Sequence, residues 1–213
     1  MRLILASASP RRAELLRAAG FAFDVVACDV DERVRDGEAP STYVRRLAAE
    51  KSAAAARAIA SRPEAGHDDR TDVAFGSRRT TARALDDTII LAADTTVVAD
   101  GQILGKPRDD EDAAEMLRRL SGRWHEVLTG ISLRCGPHEV GRVESTRVQF
   151  ASLSPADVAW YVESGEGRDK AGAYAIQGLA SRFVPRIDGS YSNVVGLPVA
   201  AVVELLPEIR RRQ

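Results

Sequence analysis

Cysteine is scarce in this sequence, and the two present, Cys28 and Cys135, stand far apart. Neither belongs to a CxxC spacing or sits beside a pair of histidines. A zinc site and a disulfide framework are therefore not indicated, and a reducing, cytoplasmic setting is expected. Long apolar runs are missing too, since nothing approaches the ~20 residues of a membrane span. The opening MRLILASAS carries one arginine and an apolar core of about five residues, short of the roughly 7–15 of a secretory signal. It reads instead as a buried first strand. Nor does one charge sign dominate, because 30 Lys and Arg face 31 Asp and Glu, a formal net charge of -1. No overall field draws nucleic acid or a membrane surface, so any polyanion must be held by a local cluster. The GxxxxGK[ST] loop of P-loop enzymes is also absent, which leaves side chains and helix N-termini as the means of holding phosphate.

What is present is an alternation of strand and helix patterns over 213 residues, the mark of an α/β chain. A strand is expected at 2–6, a helix at 10–19 ended by Gly20, and a second apolar run at 23–27. The acidic loop CDVDERVRDGEAP follows, and Pro40 and Ser41 open an Ala-rich helix to about residue 60. Composition then changes sharply. RPEAGHDDRTDVAFGSRRTTARALDD at 62–87 mixes charge with small residues and shows no apolar period, so a flexible insertion is expected at 61–87. TIILAADTTVVADGQILGKP reads as strand, Asp-Gly turn at 100–101 and returning strand. A helix at 109–120, two alternating strands at 124–134 and 139–150, and a capped helix from Ser154 and Pro155 come next. DKAGAYAIQG, a strand near 182–187, an Asp-Gly turn at 188–189 and a helix from about Pro198 complete the chain.

Several charges stand where such elements do not favour them. Ser9 and Pro10 start a helix, with Ser9 expected as its cap, and put Arg11 and Arg12 in the first turn. There the helix dipole is already positive, so two cations suggest an anionic ligand. In the long helix, Val44, Leu47, Ala55 and Ala58 mark an apolar face, and Lys51 falls on it. A lysine that merely snorkels to solvent could become methionine at no cost, so Lys51 separates a structural from a functional role. Asp94 ends the apolar run IILAA, at a position where α/β proteins often place functional groups. With Lys106 and Glu32 these residues make a phosphoryl-transfer inventory: cationic donors for phosphate, and carboxylates for a metal or for taking a proton. Weaker signals read as structural. His125 stands at no metal-sharing distance in sequence from His67 or His138, and Trp160 and Tyr161 suit the core face of a helix.

Seven motifs in order carry a family resemblance: SASPRR at 7–12, VDE at 30–32, AAEK ending at Lys51, AADTTV around Asp94, GKP at 105–107, LSGRWHEVLTG at 120–130 and DKAGAYAIQG at 169–178. The chain closely resembles the Maf family of nucleoside triphosphate pyrophosphatases, over nearly its whole length except residues 61–87. YAIQG at 174–178 and GSYSNVVGLP at 189–198 resemble the dTTP/UTP branch rather than the 7-methyl-GTP branch. The resemblance implies a single domain over 1–213, with two lobes around a mixed sheet as in inosine triphosphate pyrophosphatases, and a cleft between the lobes. It implies Asp94 as proton acceptor, and Arg11, Thr95 and Gln177 as positions that select the base. Ser7, Arg12, Lys51 and Lys106 would contact phosphate, Glu32 and Asp94 would hold a divalent cation (Mg²⁺ or Mn²⁺), and Lys170 would be a further cleft residue. A cytoplasmic homodimer with a house-cleaning role in nucleotide metabolism is implied, with modified pyrimidine triphosphates as further substrates. Two rival readings are a nucleotide-sensing regulator of cell division or septum formation with incidental hydrolysis, and a 7-methyl-GTP pyrophosphatase.

Residues 62–87 fall outside every matched motif. Replacing them with a short Gly/Ser linker is expected to leave turnover of UTP within about threefold, as loop changes remote from a site generally do. Loss of turnover in a protein with an unaltered melting curve would show that the segment shapes the site.

Overall fold

A computed structural model describes residues 2–61 and 88–212; the insertion expected at 61–87 lies outside them apart from Ser61. Among the described residues the strands are β1 (Arg2–Leu5), β2 (Asp24–Val25), β3 (Thr88–Ala99), β4 (Gln102–Leu104), β5 (Trp124–Cys135), β6 (His138–Gln149) and β7 (Arg186–Asp188). The helices are α1 (Pro10–Ala18), α2 (Pro40–Ala60), α3 (Asp110–Leu120), α4 (Pro155–Ser164), α5 (Tyr191–Val195) and α6 (Val199–Arg210). One mixed sheet runs in the order β2-β1-β3-β5-β6-β7, with β4 also paired to β3. β1 lies parallel to β2 and β3, whereas β3-β5, β5-β6 and β3-β4 are antiparallel.

Strand β3 explains the two lobes. Its first part, Thr88–Leu91, pairs with β1, and its last part, Val97–Ala99, pairs with β4. On that edge the intervening residues 92–96 have neither strand as neighbour. Ile89, Leu91 and Ala93 enter one core with α1, α6 and the far half of β5, including Ile131 and Leu133. Val97 and Ala99 enter a second core with α3, α4, Val127 and an aromatic group around Phe150. The polar run Asp94-Thr95-Thr96 therefore sits where the two cores part. An opening between a parallel strand's carboxyl end and a neighbouring strand is where open α/β sheets bind ligands.

Local chemistry accounts for the elements. The Asp-Gly turn appears as expected, with φ of 52° at Asp100 and 73° at Gly101, the double positive φ of a tight hairpin turn. Asp109 caps α3 through Asp112 N at 2.8 Å, and Ser154 caps α4 in a reciprocal box with Asp157. Ala-rich composition favours the 21 residues of α2. Its buried stripe is Val44, Leu47, Ala48, Ser52 and Ala55, while Ala58 is exposed. His125 is buried and makes a 2.8 Å hydrogen bond through Nε2 to the Tyr174 hydroxyl, edge-on to Phe150. Burial lowers its pKa to about 4, so it is a neutral core residue at physiological pH.

Four expectations change. Ser9 makes no side-chain cap to α1; its own N–H instead donates to Ser7 Oγ at 3.2 Å. The run at 23–27 pairs over Asp24–Val25 only, at the sheet edge. The strand near 182–187 shrinks to Arg186–Asp188, because Phe183 turns inward to the aromatic core from a 3₁₀ turn and Pro185 brings no N–H for a ladder. Trp160 is 38% exposed, under the Arg182 guanidinium at 4.5 Å from its ring centroid, while Tyr161 is core as expected.

Gly130 pairs with Asp94 and lies beneath α2. A Cβ there would collide with the backbone carbonyl of Val44, so its lack of a side chain sets how closely α2 crosses the sheet. Gly130→Ala is expected to cost about 3 kcal/mol, since overpacking against backbone cannot relax by a rotamer change. Urea denaturation checks this, and a cost near zero would mean that the crossing is not tight.

Candidate active site

Alternation along β3 divides its side chains between two faces. Ile90 and Ala92 pack with Ala55, and Val98 packs with Val44, so the even-numbered positions face α2. Asp94 lies among them. The stripe of α2 that crosses this face brings Lys51 to Asp94, Nζ to Oδ1 at 2.6 Å. Lys51 Nζ also meets Glu32 Oε1 at 2.7 Å. The lysine side chain is 12% exposed and that of Asp94 10%, whereas Glu32 is half-exposed. Thus the lysine that interrupts an apolar face and the aspartate that interrupts an apolar strand are partners. Desolvation pushes the Glu32 carboxyl up, but the Lys51 hydrogen bond and the charges of Lys51, Lys106 and Arg12 outweigh it and hold the group below its ordinary range.

The acidic loop that carries Glu32 has no regular structure, and α2 holds it. Arg46 donates to both oxygens of Glu38, at 2.6 and 2.7 Å, and to the Arg33 carbonyl at 3.1 Å. This pair is nearly buried, and the Arg46 hydrogen bond lowers the Glu38 pKa to about 2. The Tyr43 hydroxyl donates to the Glu32 carbonyl at 3.0 Å. Burial, reinforced by the charges of Asp94 and Glu32, raises the Tyr43 pKa to about 12 and keeps it a donor. Sequence reasoning missed both residues. Their signal was present only as i, i+3 neighbours on α2, in the turns that precede Lys51.

Arg12 closes the opening from the other side. It donates from Nε to the Gly196 carbonyl at 2.8 Å and from Nη1 to the Ala93 carbonyl at 2.8 Å and Ser7 Oγ at 3.2 Å. Its Nη2 reaches Thr95 Oγ1 at 3.2 Å. Four of its five N–H groups are thus committed to the protein. Burial lowers its pKa, opposed by Asp94 and Glu32, yet a guanidinium stays charged. Ser7 and Thr95 are accordingly brought to Arg12, and Thr95 points away from the face that holds Asp94, bonding Thr129 Oγ1 at 2.9 Å.

The remaining expected residues are arranged more loosely. Arg11 acts on Arg12, and Lys106 on Glu32, through charge rather than through a hydrogen bond. Lys106 is exposed on the loop after β4. Lys170 pairs with its neighbour Asp169. Its loop joins that of Lys106 through Gly172 N to the Gly105 carbonyl at 3.0 Å. Gln177 is exposed, on the turn after buried Ile176, and among the described residues no hydrogen bond or ion pair ties its side chain to the Asp94 cluster.

Among the described residues, no group of three or more His, Cys, Asp or Glu could hold a metal ion. Two carboxylates do converge on one cation, the Lys51 ammonium, which stands as a cation would between Glu32 and Asp94. Hard oxygen donors of this kind suit Mg²⁺ or Mn²⁺, which take one or two carboxylates and complete their shell with water and substrate phosphate. The donor set therefore fits a divalent cation.

Methionine at position 51 would strand both carboxylates, so the harmless replacement expected of a solvated lysine does not apply. Lys51→Met is expected to destabilise the protein by roughly 2 kcal/mol at neutral pH, less than a fully buried pair because Glu32 is half-exposed. Added Mg²⁺ or Mn²⁺ should restore part of that loss. Denaturation with and without the ion checks both, and undiminished stability would mean the pair contributes nothing.

Residues 2–209 match the Maf-like protein family. The chain is 46% identical to a dTTP/UTP pyrophosphatase of Hahella chejuensis, over 97% of this chain and 92% of that protein. It is 48% identical to a dTTP/UTP pyrophosphatase of Myxococcus xanthus, over 96% and 90% of the two chains. Among solved structures, the Staphylococcus aureus Ham1 protein aligns over 98% of this chain and 99% of that one, with 14% identity and a TM-score of 0.44. A family match that spans both lobes, with relatives nearly half identical throughout, places this chain in the Maf family.

Proposed function

We propose that this chain hydrolyses dTTP and UTP to the nucleoside monophosphate and pyrophosphate, the activity for which its relatives are named. The observation that carries the reading is the Lys51 ammonium between Asp94 and Glu32, on the face of the sheet that α2 crosses. A buried carboxylate beside a polyphosphate suits proton abstraction. A module that only binds the nucleotide gains little from it, because like charges repel. This favours an enzyme over a regulator.

Water attacks the α-phosphorus. As its oxygen bonds to phosphorus, the bond from that phosphorus to the bridging oxygen breaks, and the electron pair leaves on pyrophosphate. The water's proton goes to Asp94 Oδ2, the oxygen outside the Lys51 hydrogen bond. Lys51, Lys106 and Arg11 offset the charge that grows on the phosphate oxygens, the kind of stabilisation that usually contributes most to such catalysis. Arg12 meets phosphate with its remaining N–H, and Ser7 holds its guanidinium. Glu32 and Asp94 would hold a divalent cation, which when bound would supply further neutralisation and a lower pKa for water.

Gln177 selects the base. Uracil and thymine offer an acceptor, O4, next to a donor, N3–H, which one amide matches; cytosine reverses the pattern. Arg11 and Thr95 contribute from the Arg12 side, Thr95 by anchoring that guanidinium. Lys170 would be a further cleft residue, its loop tied to that of Lys106 through Gly172 N and the Gly105 carbonyl. The reading includes a cytoplasmic homodimer, as the family resemblance implies.

Asp94→Asn is the decisive variant. Asparagine keeps the shape but accepts no proton at neutral pH, so turnover of UTP should fall by about 10²- to 10⁴-fold. UTP affinity, measured by calorimetry with Mg²⁺, should persist or rise, because a negative charge near the triphosphate has gone. Hydrolysis at the wild-type rate would overturn the mechanism and favour a nucleotide-binding regulator.

A further inference from the structure

The turn that presents Gln177 is held from below by two residues of a different element from those that carry the chemistry. Gly178 N donates to the Ala175 carbonyl at 3.2 Å, closing a four-residue turn with Gln177 exposed at its third position. At its start, Ala175 N donates to the Tyr161 hydroxyl at 3.1 Å. Past its end, Leu179 N donates to Glu166 Oε1 at 2.9 Å and Ala180 N to Glu166 Oε2 at 3.3 Å. The two supports are joined, since the Tyr161 hydroxyl donates to Glu166 Oε2 at 2.7 Å. Tyr161 is itself 1% exposed on α4, and Glu166 lies two residues beyond the end of that helix.

Every donor in this arrangement is matched. Burial and the Glu166 hydrogen bond push the Tyr161 hydroxyl up, so it stays protonated, giving its hydrogen to Glu166 while its lone pair takes the Ala175 N–H. A Cβ at position 178 would collide with the Glu166 carboxylate, so the glycine beside Gln177 is what admits the support. Hydrogen bonds from backbone to a carboxylate are among the stronger ones. An exposed glutamine on a free turn would sample many positions. A paired donor and acceptor discriminates between bases only when held to a fraction of an ångström.

We propose that Tyr161 and Glu166 are positioning residues that set the pyrimidine selectivity of this enzyme by fixing the turn on which Gln177 stands. The inference rests on the reading of Gln177 as the base-selecting group. Neither residue touches substrate in this account. Their effect passes through the Ala175–Gly178 backbone.

The test compares kcat/KM for UTP with that for CTP in Tyr161→Phe, Glu166→Gln and Gln177→Ala, and in Tyr161→Phe combined with Gln177→Ala, with melting curves for all. Tyr161→Phe removes one hydroxyl from a site that keeps its ring. Glu166→Gln keeps the volume and exchanges one acceptor oxygen for a donor. Both are expected to lower the UTP-to-CTP ratio by about five- to tenfold, chiefly through the KM for UTP, as loss of orienting hydrogen bonds does. In the Gln177→Ala background, Tyr161→Phe should lower the ratio no further, because the two act in series. A merely structural role would lower turnover of both nucleotides alike and leave the ratio unmoved.

An unmoved ratio in Tyr161→Phe and Glu166→Gln, beside a lowered one in Gln177→Ala, overturns the inference and leaves the base reading intact. Equal, additive losses in the double variant also overturn it, since the clamp would then act elsewhere. An unmoved ratio in Gln177→Ala overturns the base reading, and the inference with it.

Discussion

The ammonium of Lys51, shared between Asp94 and Glu32, is the contact on which the site depends. Two carboxylates placed this close, one of them nearly buried, repel each other and lose hydration, and a cation between them removes both penalties. To supply it, α2 must cross the sheet at one height and one angle. Gly130 permits that height because nothing projects from the neighbour of Asp94 on β5, and Val44 and Ala55 settle the angle by packing at either end of the crossing. The Lys51–Asp94 pair is thus a consequence of helix-on-sheet packing.

Around this contact the chain is built in two shells of opposite character. Glu32 rides on an irregular, exposed loop whose position comes from Arg46, Glu38 and Tyr43 rather than from any ladder of its own. Arg12, by contrast, is tied to backbone carbonyls of β3 and of the segment after α5, joining pieces that lie 81 and 184 residues apart. One side of the opening is fixed by the sheet, the other by side-chain ion pairs. The Arg12 guanidinium on one side is anchored to backbone carbonyls, and the acidic loop on the other is anchored by side chains of α2.

Much of this was legible before any coordinates. The 3.6-residue period exposed Lys51 as out of place on α2, and the apolar run before Asp94 exposed that residue in the same way. The helix cap at Ser154, the Asp-Gly hairpin and the paired strands β5 and β6 were all readable, because each depends on residues within a few positions of one another. What failed to read was non-local or marginal. Ser9 has the identity of a cap, yet its side chain makes no cap bond, and it is Ser7 that holds the turn and Arg12. Phe183 continued an apparent strand, but the aromatic core drew it inward and ended the pattern.

Sequence by itself determined which side chains break the local rules of their elements: a lysine on an apolar face, an aspartate in an apolar strand, two arginines at a positive helix end. Those rules have short periods, so a short window suffices to see them broken. Only the tertiary structure decided which of these exceptions answer one another. Asp94 and Thr95 are adjacent in the chain, yet pleating sends one to Lys51 and the other to Arg12 on opposite faces of the sheet. Lys51 and Asp94 are 43 residues apart, and Tyr161 and Ala175 are 14 apart. Such pairings depend on how closely a helix crosses a strand and where a loop returns, distances that packing sets and that no local period encodes.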